Sequence, residues 1–316
     1  MTGAVVDVQN GFRQSRSCLE HLYTITSIIR TRQLQNLSTF CCFIDMAKAF
    51  DSVDRDWFNN DIGVRQGDPL SPTLFSLFIN DLTVELNVMN LGVKFGDEIV
   101  NILLYADDLV ILAKNEIALQ RMIDKCCDWC MQWRLKMNVD KTKVVHFRNP
   151  SVPRTDYDFM CFQESLVVDH KYKYLGIILE ENMNFQVTAK VLSESSGRAF
   201  GLILSKLQNL KTFDFQLFEK LCKTCIHPIM DYASAVWGYK TYDSSKIMEN
   251  KMLRYFLGVH RFAPNLAVWG DLGWTPSEIR RKVNMVRLWC RLIRLDDSRL
   301  VKRIFLHDVD LCKISN

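Results

Sequence analysis

The chain has 316 residues, 48% of them hydrophobic, and a formal net charge of +4. That apolar content excludes a disordered chain, and the length allows one large domain or two to three smaller ones. No apolar run approaches a membrane span, and the start, Met1-Thr2-Gly3-Ala4, lacks the basic and apolar regions of a secretory leader, so an intracellular protein of nucleus or cytoplasm, with no membrane contact, is expected. The charge is uneven. Residues 1–200 carry 21 Lys/Arg against 25 Asp/Glu, and residues 201–316 carry 19 against 11. An acidic half joined to a basic half suits a protein that binds metal in one part and phosphates in the other, although a basic helical surface without a ligand gives the same count. Eleven cysteines, several in apolar settings such as Phe40-Cys41-Cys42-Phe43, read as core thiols in a reducing compartment. Cys127/Cys130 and Cys222/Cys225 have zinc-like spacing, but the pairs lie far apart in sequence on helix patterns without clustered histidines, which favours core packing.

In chain order, a short irregular opening runs to Gly11-Phe12-Arg13-Gln14-Ser15-Arg16. Ser17 and Glu20 then form a capping box. A helix follows through Arg32, with Leu19, Leu22, Ile25, Ile28 and Ile29 on its buried stripe. Thr39–Ile44 is an unbroken apolar run, the pattern of a buried strand, and it ends in Asp45. Gly63 to Pro72 is a turn-rich loop. Ser71 caps a helix that reaches about Met89, with Pro72 at its first position. Strands are expected over 93–95, 99–105, 109–113, 143–147 and 174–179, and an amphipathic helix over 116–133. From about Asn184 the pattern turns helical, over 187–210, 213–232, 242–257 and 276–295.

The stretch Leu103-Leu104-Tyr105-Ala106-Asp107-Asp108-Leu109-Val110-Ile111-Leu112 carries the chemistry. Two apolar runs bounding an acidic pair read as a hairpin with Asp107 and Asp108 at its tip. Adjacent carboxylates repel, and a divalent cation with oxygen ligands relieves the repulsion. A solvated acidic turn has the same local sequence. Asp45, delivered by its own strand, is a natural third carboxylate, though in isolation it reads as a strand-end turn or helix cap. Three carboxylates from two strands can hold two magnesium ions about 4 Å apart, one activating a hydroxyl and one steadying a pyrophosphate leaving group.

The order of segments resembles that of reverse transcriptases. Phe43-Ile44-Asp45-Met46-Ala47-Lys48-Ala49-Phe50-Asp51 is similar to their first catalytic box, Gly63 to Pro72 to the second, and Tyr105-Ala106-Asp107-Asp108 to the third. Asn138-Val139-Asp140-Lys141 is similar to the fourth, and Tyr174-Leu175-Gly176 to the primer-grip hairpin. Gly11-Phe12-Arg13 with Arg16-Ser17 resembles the fingers element before the first box. The subtype resembles non-LTR (LINE-type) retrotransposons, from about Asn10 to at least Tyr239.

The resemblance implies a mixed α/β (α+β) reverse-transcriptase palm with an antiparallel sheet and partial fingers, followed by an all-α thumb and a C-terminal helical region. The implied divisions are 1–38 partial fingers, 39–183 palm, 184–240 thumb and 241–316 C-terminal helices. It implies Asp45, Asp107 and Asp108 as ligands of two Mg2+ ions, with Mn2+ as the alternative, and Lys141 as general acid to the pyrophosphate. Phe50 would exclude a ribose 2′-OH, Gln66 and Gly67 would line the nucleotide and template site, and Arg13 would contact template or triphosphate, with Arg16 beside it. Tyr174, Leu175 and Gly176 would grip the primer. Partners would be an RNA template, a DNA primer and dNTPs. Arg280, Arg281, Lys282, Arg287, Arg291 and Arg294 would meet phosphates, while Trp274 and Trp289 read as core.

Two departures from the family follow. The upstream fingers segment is missing, which reads as an N-terminal truncation, and no endonuclease domain precedes it. The segment between the first two boxes is also short: Phe58 to Gly63 spans at most roughly 18 Å, which reads as an internal deletion. Two rival functions therefore stand beside an RNA-directed DNA polymerase. One is a catalytically inactive retroelement remnant that at most binds nucleic acid. The other is a different two-metal phosphotransferase, such as a cyclase, that needs no primer.

Overall fold

The structure is a computed structural model that describes residues 7–11, 13–47, 71–207 and 214–314. The chain divides into two compact units. One joins Met1–Met183 to Leu295–Asn316, and the other is Asn184–Arg294.

In the first unit, helix α1 (Cys18–Leu34) starts where expected, with the Ser17 hydroxyl accepting from Glu20 N at 3.2 Å. Strand β1 (Thr39–Ala47) follows, then α2 (Ser71–Phe78) and α3 (Asn80–Met89), which break at Ile79 the single helix read over 71–89. A small hairpin of β2 (Val93–Phe95) and β3 (Glu98–Val100) precedes β4 (Ile102–Tyr105) and β5 (Asp108–Ala113). The strand expected over 99–105 divides at Asn101, whose side chain accepts from Gly92 N at 2.7 Å and donates to Asn87 Oδ1 at 3.1 Å.

Helix α4 (Glu116–Gln132) is capped by Asn115. After it come β6 (Lys136–Met137), β7 (Lys143–Phe147), a short hairpin of β8 (Met160–Cys161) and β9 (Glu164–Ser165), then β10 (Val167–Asp169), β11 (Lys171–Tyr174) and β12 (Ile177–Glu180). The main sheet runs β10-β7-β1-β5-β4, with β6 also paired to β1. It is antiparallel from β7 to β4, and β10 adds a parallel edge strand that the purely antiparallel expectation did not contain.

Alternation assigns the faces of β1. Phe40, Cys42, Ile44 and Met46 join Ile102, Leu104, Leu109 and Ile111 in a core packed under Phe75, Phe78, Leu82, Met122 and Trp129 of the helices. Cys41, Phe43 and Asp45 point to the other face, where α1 lies and the Phe43 ring stacks on Tyr172 at 4.3 Å between centroids. Helix α12 (Leu300–Ile314) also belongs to this unit. Tyr23 donates to Asp308 Oδ2 at 2.8 Å, and Arg299 pairs with the buried Glu20 at 2.5 Å. No helix among the described residues is long and apolar enough to cross a membrane.

The second unit contains α5 (Gln186–Leu207), α6 (Phe215–Leu221), a π turn over Cys222–Ile226, α7 (His227–Met230), α8 (Ser234–Trp237), α9 (Asp243–Leu257), α10 (Asn265–Asp271) and α11 (Ser277–Ile293). The π turn closes with His227 N donating to Cys222 O, five residues back, directly before Pro228, which has no N–H of its own to donate. Phe200, Phe218, Ile226, Met252, Leu253 and Trp274 form the core.

Two expectations about the basic helix are corrected here. Arg280 pairs with Asp231 at 3.0 Å and Glu249 at 2.7 Å, and Arg281 pairs with Asp231 at 2.8 Å while lying over the Trp237 ring. Both guanidiniums are committed to buried carboxylates and are not presented to phosphates. Trp274 is core as read, donating to Glu249 Oε1 at 3.0 Å, but Trp289 is 53% exposed.

Candidate active site

β4 and β5 pair from Ile102–Ile111 to Tyr105–Asp108, leaving Ala106 and Asp107 as a two-residue turn. Ala106 adopts φ +58° and Asp107 does not share the positive sign, the φ pattern of a type II′ hairpin turn. The first central position of such a turn is usually Gly, because a Cβ there crowds the backbone.

On the other side of β5, β1 runs antiparallel in the register Ile44–Leu109 and Asp45–Asp108. Residues directly opposite in an antiparallel pair have Cα atoms about 4.5–5.5 Å apart and point to the same face. Asp45 and Asp108 are therefore neighbours on one face, and Asp107 is the next residue on the turn. Burial, with the charges of Asp107 and Asp45, pushes the Asp108 carboxyl up to about 6. Burial, with the charges of Asp108 and Asp45, pushes the Tyr172 phenol up to about 12. Among the described residues no three acidic, His or Cys side chains are gathered closely enough to hold a metal ion as they stand. The three carboxylates form an open set, with Asp107 and Asp108 exposed and Asp45 partly so. Hard oxygen donors of this kind suit a divalent cation that keeps several waters of its own.

Lys141 lies beside this set, its Nζ 3.8 Å from Asp45 Oδ2. The turn that carries it is stitched to the end of β1: Asn138 N donates to Asp45 O at 2.8 Å, and Asp45 N donates to the buried Thr142 hydroxyl at 3.3 Å. Tyr174, Leu175 and Gly176, read as the start of one strand over 174–179, instead turn the β11–β12 hairpin. Tyr174 pairs with Ile177, and Leu175 and Gly176 take φ +44° and +85°. Tyr174 is buried, and its hydroxyl lies 2.7 Å from His21 Nε2. Asn10 Nδ2 faces His21 Nδ1 at 3.0 Å while Asn10 Oδ1 accepts from Arg16, so His21 donates through Nε2 to Tyr174. Burial lowers the His21 imidazole to about 3, keeping it neutral. The His21 ring also lies edge-on to Tyr105 at 5.7 Å, which links the acidic hairpin to the second one.

Arg13 Nη1 donates to Gln9 O at 3.2 Å, and Arg16 pairs with Asp7. Phe50, Gln66 and Gly67, together with the segment between the first two boxes that reads as shortened by a deletion, lie outside the described residues. Sequence reasoning passed over Gln9, His21, Thr142 and Tyr172. A single Gln or His in an irregular or apolar context carries no spacing signal.

Residues 57–179 match the family Reverse transcriptase (RNA-dependent DNA polymerase). The matched span holds Gln66, Gly67, Asp107, Asp108, Lys141 and Tyr174–Gly176, and it begins past Asp45 and Phe50, so strand register is what ties Asp45 to the others. The chain is 26% identical over 311 residues to the RNA-directed DNA polymerase from mobile element jockey of Drosophila funebris, covering 82% of this chain and 32% of that protein. It is 28% identical over 228 residues to the Retrovirus-related Pol polyprotein from type-2 retrotransposable element R2DM of Drosophila melanogaster, covering 58% of this chain and 21% of that protein. The probable RNA-directed DNA polymerase from transposon BS of Drosophila melanogaster is 24% identical over 298 residues, covering 78% and 32%. The chain thus spans about a third or less of the length of these relatives. Its similarity is thus to reverse transcriptases of mobile elements, over residues 57–179 for the family and over most of the chain for the jockey and BS proteins.

Proposed function

We propose that the chain is the nucleotidyl-transfer part of a retrotransposon RNA-directed DNA polymerase, extending a DNA primer on an RNA template with dNTPs. The observation that carries this reading is the register that sets Asp45 opposite Asp108, one residue from Asp107, at the end of the sheet. In this reading residues 39–183 act as the palm, the segment before β1 as partial fingers, residues 184–240 as a thumb and residues 241–316 as a C-terminal helical region.

Asp45, Asp107 and Asp108 would hold two Mg2+ ions, or Mn2+, which when bound lower the pKa of a primer 3′-OH and neutralise the leaving pyrophosphate. The raised Asp108 pKa supports this, because it marks negative charge that a cation would relieve. Lys141, held beside Asp45, is positioned to give a proton to the pyrophosphate as it departs. The Leu175-Gly176 turn holds the primer end against the face that carries the acids, braced through Tyr174 and His21. Phe50 closes the sugar pocket against a 2′-OH, Gln66 and Gly67 line the nucleotide, and Arg13 meets template or triphosphate. Lys282, Arg287, Arg291 and Arg294 contribute phosphate contacts that weaken with salt. Such a protein works inside the cell, in the nucleus or cytoplasm.

Primer extension on an RNA template with dNTPs and Mg2+ tests the reading. Extension by the wild type, with loss of about 10³-fold or more in Asp107→Asn, is expected, since the carboxylate acts on the reacting centre. Nucleic-acid binding without any extension would identify an inactive remnant instead.

A further inference from the structure

The acidic turn carries a strain that the hairpin itself does not relieve. An Ala at φ +58° is disfavoured against a right-handed or extended residue, because its Cβ crowds the backbone, and the β4–β5 ladder stops at Tyr105–Asp108. What meets the Ala106 backbone comes from the start of the chain. Residues 8–10 run parallel to β4, with Leu104 N donating to Val8 O at 3.1 Å and Asn10 N donating to Leu104 O at 2.9 Å. This places the fully buried Gln9 amide against the turn. Gln9 Oε1 accepts from Ala106 N at 3.1 Å and from Gly11 N at 2.8 Å, while Gln9 Nε2 donates to Ala106 O at 3.3 Å. Both backbone groups of the strained residue are thus held by one side chain, and the two N–H donors fix which end of the amide is oxygen. Gly11 completes the fit, because a Cβ there would lie 2.1 Å from Ala106 N.

We propose that Gln9 is a positioning residue that clamps Ala106 in its left-handed conformation and so sets the direction in which Asp107 and Asp108 present their carboxylates to divalent cations. The inference rests on the reading that these acids bind such ions. Gln9 touches neither substrate nor ion; it acts through the turn alone.

The test uses the full chain, with Mn2+ as the spectroscopic probe. In the wild type, the Ala106 amide should exchange its hydrogen slowly even though it sits in a two-residue turn, and fast exchange would overturn the clamp without any variant. Gln9→Leu keeps the bulk and removes three hydrogen bonds. Folded Gln9→Leu should bind Mn2+ about tenfold more weakly, in line with leaving buried polar groups unmet. Adding Ala106→Gly, which takes positive φ freely, should recover most of that loss. A role of Gln9 in packing alone would not be rescued at Ala106. Folded Gln9→Leu that binds Mn2+ like the wild type, or a double variant no better than the single, would overturn the proposal. If the wild type binds no Mn2+ and Asp107→Asn changes nothing, the ion-binding reading fails, while exchange at Ala106 still decides the clamp.

Discussion

At Asp108 three acidic groups converge from two strands and a turn, and the turn before β7 offers Lys141 at 3.8 Å from Asp45 as the neighbouring cation. The folded chain carries unrelieved repulsion when no cation is bound, and the raised Asp108 pKa reports it. Asp108→Asn keeps the shape and removes one charge. In divalent-free buffer at pH 7.5 the variant should be more stable than the wild type by roughly 0.5 kcal/mol, the scale of partly solvated charge pairs, and it should not extend a primer. Thermal unfolding measures the first effect, and a lower midpoint in the variant would mean that the three acids do not repel. The acid pair was legible in the sequence because two apolar runs bracket it, and the partner acid was legible because an apolar run ends on it. Gln9 was not legible. A buried amide in a short irregular opening looks like any polar loop residue until the parallel pairing of residues 8–10 with β4 is known.

At the scale of the element, α11 shows how charge alone misleads. Arg280, Arg281, Lys282, Arg287, Arg291 and Arg294 read together as phosphate contacts. Yet the first two are buried against Asp231 and Glu249, which arrive from the end of α7 and from α9 respectively. Glu249 is 1% exposed and also accepts from Trp274 Nε1 and Ser277 N at 3.0 Å each. Removing its charge leaves Arg280 partly uncompensated in a desolvated setting. Glu249→Gln should therefore destabilise the second unit by about 3 kcal/mol, read by denaturant unfolding, while Lys282→Ala on the exposed side stays within about 0.5 kcal/mol. Equal effects of the two would refute the assignment. No sequence period announces ion pairs between helices thirty to fifty residues apart, so Asp231 and Glu249 gave no sign of their role. The breaks at Ile79 and Asn101 escaped for a related reason: a periodic pattern that resumes after a short interruption does not mark where an element bends.

Over the whole molecule, three histidines shielded from water, His21 and His146 buried and His227 partly so, set the response to acid. Burial lowers His21 to about 3, and His146 and His227 to about 4 each. As the pH falls below the ordinary histidine value of about 6.5, the unfolded chain takes up protons that the folded chain refuses. The stability these groups contribute is complete above about 6.5 and is lost as the pH falls towards their folded values. Each costs up to about 1.4 kcal/mol per pH unit in that window. Asp108 works in the opposite direction, so the clean readout is a comparison: His21→Gln, in the same buffers, should show a shallower fall of unfolding free energy between pH 6.5 and 5 than the wild type. Parallel slopes would show that His21 is not kept neutral. Helix α12 has a consequence of another kind. The first unit gathers residues from both sides of the second, and Asp7 and Glu20 meet Leu300 and Arg299 across nearly three hundred positions. On the ribosome, residues 184–294 emerge with their own core complete, whereas the earlier-made unit waits for its last helix. The order in which the nascent polypeptide can finish folding thus runs against the order in which it is made.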